Sequence, residues 1–164
     1  MTLTTAQLVE QADACIKAGR YQELIPLYEQ LEFQVTAVEI DAVPLNTVYE
    51  PLLASYLIAN DLSSARSLVH RIPEDIRKNQ APQLATLIRV YEMMHSWDRQ
   101  SGNLKDIYSA LHQSRWNSAL APLIAVLQDS IQDRELDLLA RAYSSLPLQM
   151  AASRISLEEG STAE

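Results

Sequence analysis

The chain has 164 residues, enough for one domain of ordinary size that buries about two thirds of its unfolded surface without a metal or disulfide staple. Its 48% hydrophobic content excludes intrinsic disorder, and only three glycines argue against sandwiches, barrels and phosphate-binding loops, which spend glycine on turns and close backbone approach. The net charge is −8, distributed as −6 over residues 1–50, +1 over 51–100 and −3 over 101–164, a poor match to a phosphate backbone.

Apolar residues recur with helical spacing along nearly the whole chain, and strand-like alternation is almost absent. Residues 5–18 place Leu8, Ala12, Cys15 and Ile16 on one face. Thr4 followed by Gln7 reads as a capping box, and Gly19 as the stop. Residues 21–39 repeat the pattern with Leu24, Leu27, Tyr28, Leu31, Val35 and Val38. A linker over Ile40–Asn46 contains Pro44. A third helix then carries Val48, Leu52, Leu53, Tyr56 and Leu57, with Pro51 placed near its first turn, where proline is tolerated.

Asn60-Asp61 reads as a helix stop followed by an N-cap, opening a helix with Leu62, Ala65, Leu68, Val69 and Ile72 that Pro73 ends. A further helix starts near Pro82 with Leu84, Leu87, Ile88, Tyr91 and Met94, and Ser96–Asn103 with Gly102 reads as a loop. Next come Leu104, Ile107, Tyr108 and Leu111. A helix after Trp116 follows, with Leu120, Leu123, Ile124, Leu127 and Ile131. A separate last helix, capped by Asp133, carries Leu136, Leu139, Ala140 and Tyr143 and closes at Pro147.

Several of these pairs share the order helix, tight turn, helix. Aligning Gly19-Arg20-Tyr21 with Asn60-Asp61-Leu62 brings Leu24 opposite Ala65, Tyr28 opposite Val69 and Cys15 opposite Tyr56. That spacing is of the tetratricopeptide kind, and it predicts an all-α fold: a right-handed stack of helical hairpins, each burying an apolar face on its neighbour.

Chemistry-bearing constellations are sparse. His70, His95 and His112 do not stand at metal-ligand spacings, and Cys15 lies on an apolar stripe as a core residue would. A single cysteine suits a reducing compartment. Asp129, Asp133, Glu135 and Asp137 lack the alternation and glycine of a calcium loop and read as a cap or solvated face. No nucleophile elbow or phosphate loop is present, so neither a cofactor nor a small-molecule substrate is expected, and the chain is not expected to be an enzyme. Trp97 and Trp116 border turns and are expected to wedge neighbouring hairpins together. No apolar run reaches the roughly 18 residues of a membrane span, and the N-terminus lacks a secretory signal pattern, so the expected protein is soluble and intracellular.

The stretch Val48-Tyr49 through Leu57, then Asn60-Asp61-Leu62, Ala65-Arg66 and Arg71-Ile72-Pro73, resembles the subunit 8 family of the COP9 signalosome. The likeness continues through Ile107-Tyr108, Trp116, Pro122-Leu123 and Leu139 to Ala142-Tyr143-Ser144-Ser145. Pro51 and Gly102 depart from that pattern. The resemblance implies a PCI-type scaffold: a helical-repeat domain over residues 1–132, then the start of a truncated winged helix over 133–164 with a frayed tail. Pro147–Ile155 and Ser156–Glu159 stand where the next winged-helix elements would be.

The function it implies is that of a non-catalytic signalosome subunit in the cytoplasm and nucleus. That complex removes a ubiquitin-like modifier from cullins, and a zinc metalloprotease subunit elsewhere in it does the chemistry. The implied partners are other PCI subunits, with no nucleic acid and no membrane, and the tentative partner-binding residues are Leu136, Leu139, Tyr143, Leu148, Met150 and Ile155. Sister subunits of the proteasome lid and of translation initiation factor three share the architecture. A free-standing peptide-binding adaptor is the alternative from another class.

Overall fold

The computed structural model describes residues 3–37, 44–78, 82–97 and 104–143, together with Ser145, Pro147, Gln149 and Met150. All regular structure among them is helical: α1 (Thr5–Lys17), a 3-10 turn (Tyr21–Glu23), α2 (Leu24–Ala37), α3 (Leu45–Ile58), α4 (Leu62–Arg71), α5 (Glu74–Lys78), α6 (Pro82–Trp97), α7 (Leu104–Gln113) and α8 (Ala121–Ala142).

Local chemistry explains the boundaries. Thr4 accepts from the Gln7 backbone N–H at 3.4 Å while the Gln7 side chain accepts from the Thr4 backbone at 2.9 Å, so the capping box is formed. Asp61 opens α4, its carboxylate accepting from the Ser64 N–H at 3.0 Å and from the Ser64 hydroxyl at 2.6 Å. Those bonds from Ser64, side chain first, hold the Asp61 carboxyl below its ordinary range.

The two aligned turns match bond for bond. Gly19 (φ 72°) and Asn60 (φ 56°) both take the left-handed conformation that ends a helix. Arg20 N–H donates to the Cys15 carbonyl and Asp61 N–H to the Tyr56 carbonyl, each at 2.9 Å. The residues paired by the alignment, Cys15 with Tyr56, Leu24 with Ala65 and Tyr28 with Val69, are all buried.

α3 is the centre of the fold. Every residue from Val48 to Leu57 is buried, and α2, α4, α6 and α8 pack around it. A helix largely apolar on all sides has to be enclosed in this way, and the enclosure takes Glu50 and Ser55 in with it. Pro51 lies in the interior of α3 rather than in its first turn, contrary to expectation. The bond its missing N–H would have made is lost, and the helix continues because packing on every side holds it. α2 is bound to α4 by the bidentate pair of Arg71 and Glu32, at 3.1 and 2.9 Å. It is bound to α3 by the Tyr56 hydroxyl, which donates to Glu29 at 2.6 Å.

Two further expectations need correction. The helix after Trp116 and the one expected from Asp133 are a single element, α8, and Asp133 is an exposed residue inside it rather than a cap. None of residues 128–133 is Gly or Pro, so the backbone has no reason to stop there. The helix also ends at Ala142, before Pro147, where Tyr143 turns extended (φ −128°, ψ 132°). Pro73 ends α4 as expected, after the extended Ile72, and the short helix α5 follows it directly. Of the linker expected over Ile40–Asn46, Leu45 and Asn46 belong to α3, and of the loop expected over Ser96–Asn103, Ser96 and Trp97 belong to α6. Residues 40–43, residues 98–103 including Gly102, Val38, Leu148, Ile155 and the rest of 151–164 lie outside the described residues, as does the side chain of Trp97.

Candidate functional site

Helices of the described residues carry apolar side chains into solvent chiefly at the end of α8. The 22-residue α8 is the longest element, roughly 33 Å at the standard rise. Its first half is anchored through Leu123, Ile124, Leu127 and Ile131, all buried. Asn117 caps its approach, accepting from the Leu120 N–H at 2.8 Å. The half-buried Trp116 packs against the core, and its indole N–H donates to the Leu111 carbonyl at 2.8 Å, tying the end of α7 to the connection into α8.

Arg134 fixes the middle of α8. Its guanidinium donates to Asn60 Oδ1 and to the Leu57 carbonyl, both at 3.2 Å, and also to the Ile58 carbonyl. Those carbonyls close the C-terminal end of α3, where a cation meets the negative pole of the helix dipole; the Leu57 carbonyl also accepts from the Asn60 N–H at 3.1 Å. Burial holds the Arg134 pKa below its ordinary value. Glu135 beside it is buried, and Tyr108 on α7 lies under this part of α8. The Tyr108 pKa is pushed up to about 12, first by burial and then by Glu135 and Asp129.

Beyond Arg134 the helix is poorly covered. Leu139 is buried and is the last anchor. Leu136 is 44% exposed, Leu138 56% and Tyr143 51%, and Met150 is exposed after the helix has ended. Leu138 overhangs a cleft of about 180 Å3 walled by Leu62, Met94 and Ile131, with Asn60 and Arg134 at its polar edge. Of the residues expected to bind partners, Leu136, Tyr143 and Met150 are therefore displayed and Leu139 is turned inward. Leu148 and Ile155 lie outside the described residues. Leu138 was missed, although adjacent leucines on a helix stand 100° apart and cannot share one narrow face. A second exposed apolar residue, Phe33 on α2 at 71%, was also missed.

Among the described residues no group of three or more His, Cys, Asp and Glu side chains could hold a metal ion. His95 stacks on Tyr91 with ring centroids 5.8 Å apart, while His70 and His112 are exposed. Cys15 is buried, with its Sγ 3.9 Å from Glu23. No helix among the described residues is long and apolar enough to cross a membrane.

The sequence matches a known family. The CSN8/PSMD8/EIF3K family model matches residues 45–164. COP9 signalosome complex subunit 8 of Danio rerio is 33% identical over 138 residues, covering 81% of this chain and 69% of the relative. The protein of the same name in Xenopus tropicalis is 29% identical over 133 residues, covering 79% and 66%, and that of Dictyostelium discoideum 24% over 152 residues, covering 90% and 69%. The chain thus spans about two thirds of the length of these relatives. The matched stretch starts with the buried central helix and includes the clamped, half-exposed α8, and on that match the chain belongs to the CSN8/PSMD8/EIF3K family.

Proposed function

We propose that this chain is a non-catalytic scaffold subunit of the COP9 signalosome, the complex that removes the ubiquitin-like modifier from cullins and so regulates cullin–RING ubiquitin ligases. The observation that carries the reading is the shared name of the relatives that match over most of the chain. The chain's own part is to hold neighbours in place, and the hydrolytic step belongs to another subunit. In this reading α1 to the first half of α8 form a right-handed stack of tetratricopeptide-like hairpins. The second half of α8 opens a winged helix, so one continuous helix joins the regions 1–132 and 133–164.

Partner PCI subunits would dock on the exposed end of α8 through Leu136, Leu138, Tyr143 and Met150, with Leu148 and Ile155 extending the contact and Leu139 anchoring it from beneath. Clamping by Arg134 makes that end a rigid presenter, which lowers the ordering cost of association. The protein would work in the cytoplasm and nucleus. The family description also spans sister subunits of the proteasome lid and of initiation factor three, a second reading in the same class.

Affinity purification of the tagged chain from its native cells, with mass spectrometry of what accompanies it, tests the proposal. Recovery of the other signalosome subunits, the metalloprotease included, is expected. Recovery of lid or initiation-factor subunits instead would transfer the chain to a sister complex.

A further inference from the structure

The outward face of α8 has a pattern that packing among the described residues does not explain. At 3.6 residues per turn, Asp129, Asp133 and Asp137 form one row along the helix, and Leu136 and Ala140 run beside it. All five are exposed. Neither Asp129 nor Asp133 has an ion-pair partner among the described residues. Asp137 is paired at 2.7 Å with Arg141, a contact more than half open to water on both sides and so readily exchanged. Like charges four residues apart on a helix repel each other, so the row weakens α8 for as long as it faces only water. Three carboxylates flanking an apolar strip, on a chain of net charge −8, complement one kind of surface.

We propose that this face docks an amphipathic helix of a partner protein, one whose apolar stripe is flanked by lysine or arginine. The inference rests on the scaffold reading and deepens it by giving the chemistry of a partner. Leu136, with Ala140 beside it, supplies the apolar contact at the centre of the patch, and the aspartates form its polar rim. Such a rim sets the choice and register of the partner more than the total affinity. A second copy of this chain is disfavoured, because its own acidic row would be brought against the first.

The test uses the full 164-residue chain and two short synthetic helices that share one leucine stripe, one flanked by lysines and the other by glutamates, followed by fluorescence anisotropy. The lysine helix is expected to bind at least about tenfold more tightly than the glutamate helix at low salt, with the difference shrinking as salt is added. Asp129→Asn with Asp133→Asn should remove most of that preference, whereas Glu10→Gln with Asp13→Asn, neutralising α1 by the same amount, should leave it intact. Leu136→Ala should weaken the lysine helix without changing the salt dependence.

Equal binding of the two helices, or equal loss on neutralising α1, would overturn the proposal and show only general attraction to an acidic protein. These outcomes are separate from the fate of the scaffold reading. Signalosome subunits that co-purify with the Asp129→Asn, Asp133→Asn chain as fully as with the parent chain would leave that reading standing while removing this one. A parent chain that recovers none of them would remove the scaffold reading itself.

Discussion

The guanidinium of Arg134 closes the end of α3 by donating to Asn60 Oδ1 and to the Leu57 carbonyl, each at 3.2 Å. One side chain thereby adds to the bonding of carbonyls at the end of a helix far away in sequence, the Ile58 carbonyl included, and contacts Asn60 in its left-handed turn. Replacing Arg134 with Met keeps much of the aliphatic packing but removes the donor to Asn60 Oδ1 and to the Ile58 carbonyl, while the Leu57 carbonyl keeps only the Asn60 N–H. The expected loss is about 2 kcal/mol in chemical denaturation, with Arg134→Lys intermediate because it restores charge but not the fork.

Tyr56 joins α3 to α2 from the other side. Its hydroxyl bond to Glu29 is short, and its pKa is raised well above the ordinary value by burial first and by that bond second. Tyr56→Phe should cost about 1 kcal/mol, the net worth of one hydrogen bond. Tyr56→Asp should cost several, since it places a charge in the seam. An unchanged melting temperature for the aspartate variant would contradict the seam assignment.

The equivalent turns at Gly19 and Asn60 should respond differently to substitution. Gly19→Ala puts a side chain on a φ of 72° and should destabilise by about 1 kcal/mol. Asn60→Gly relieves the same backbone conformation but loses the contact to Arg134, so its effect should be smaller, read as the shift in denaturation midpoint.

Glu50 is buried in α3 with its Oε1 lacking a hydrogen-bond partner, and burial pushes its pKa from the ordinary 4.5 to about 7. The folded chain therefore keeps a proton that the unfolded chain has already released. Below about pH 4.5 the group is neutral in both states and costs nothing. As pH rises through the window to about 7, this acid withdraws stability, on the order of 3 kcal/mol in all at 1.36 kcal/mol per unit. The melting temperature should fall across that window, and Glu50→Gln should flatten the fall. An identical slope in the variant would assign the pH dependence to other groups.

Much of this architecture was legible in the sequence because its signals are local. The Thr4–Gln7 box, the Gly19 stop and the Asp61 cap each act within a turn of the chain, and all three formed as read. What escaped reading depends on tertiary context. Pro51 sits mid-helix because α3 is enclosed on all sides, and the run around Asp133 stays helical because Arg134 clamps it to α3. Nothing near Glu50 in the sequence marks it as buried. At the exposed end of α8, the apolar character of Leu136 and Tyr143 could be read, but the inward turn of Leu139 and the exposure of Leu138 follow from where the helix meets the core.

The most direct test of the scaffold account compares the tagged chain with its Leu136→Asp, Leu138→Asp variant, purified from native cells, by quantitative mass spectrometry of the co-purifying proteins. Both side chains are exposed, so melting should change by less than about 1 kcal/mol. The parent chain is expected to recover the signalosome subunits in constant proportion and the variant to lose most of them while remaining folded. A folded variant that keeps the full set would contradict assembly through the end of α8, and a parent chain that recovers none would contradict the subunit assignment.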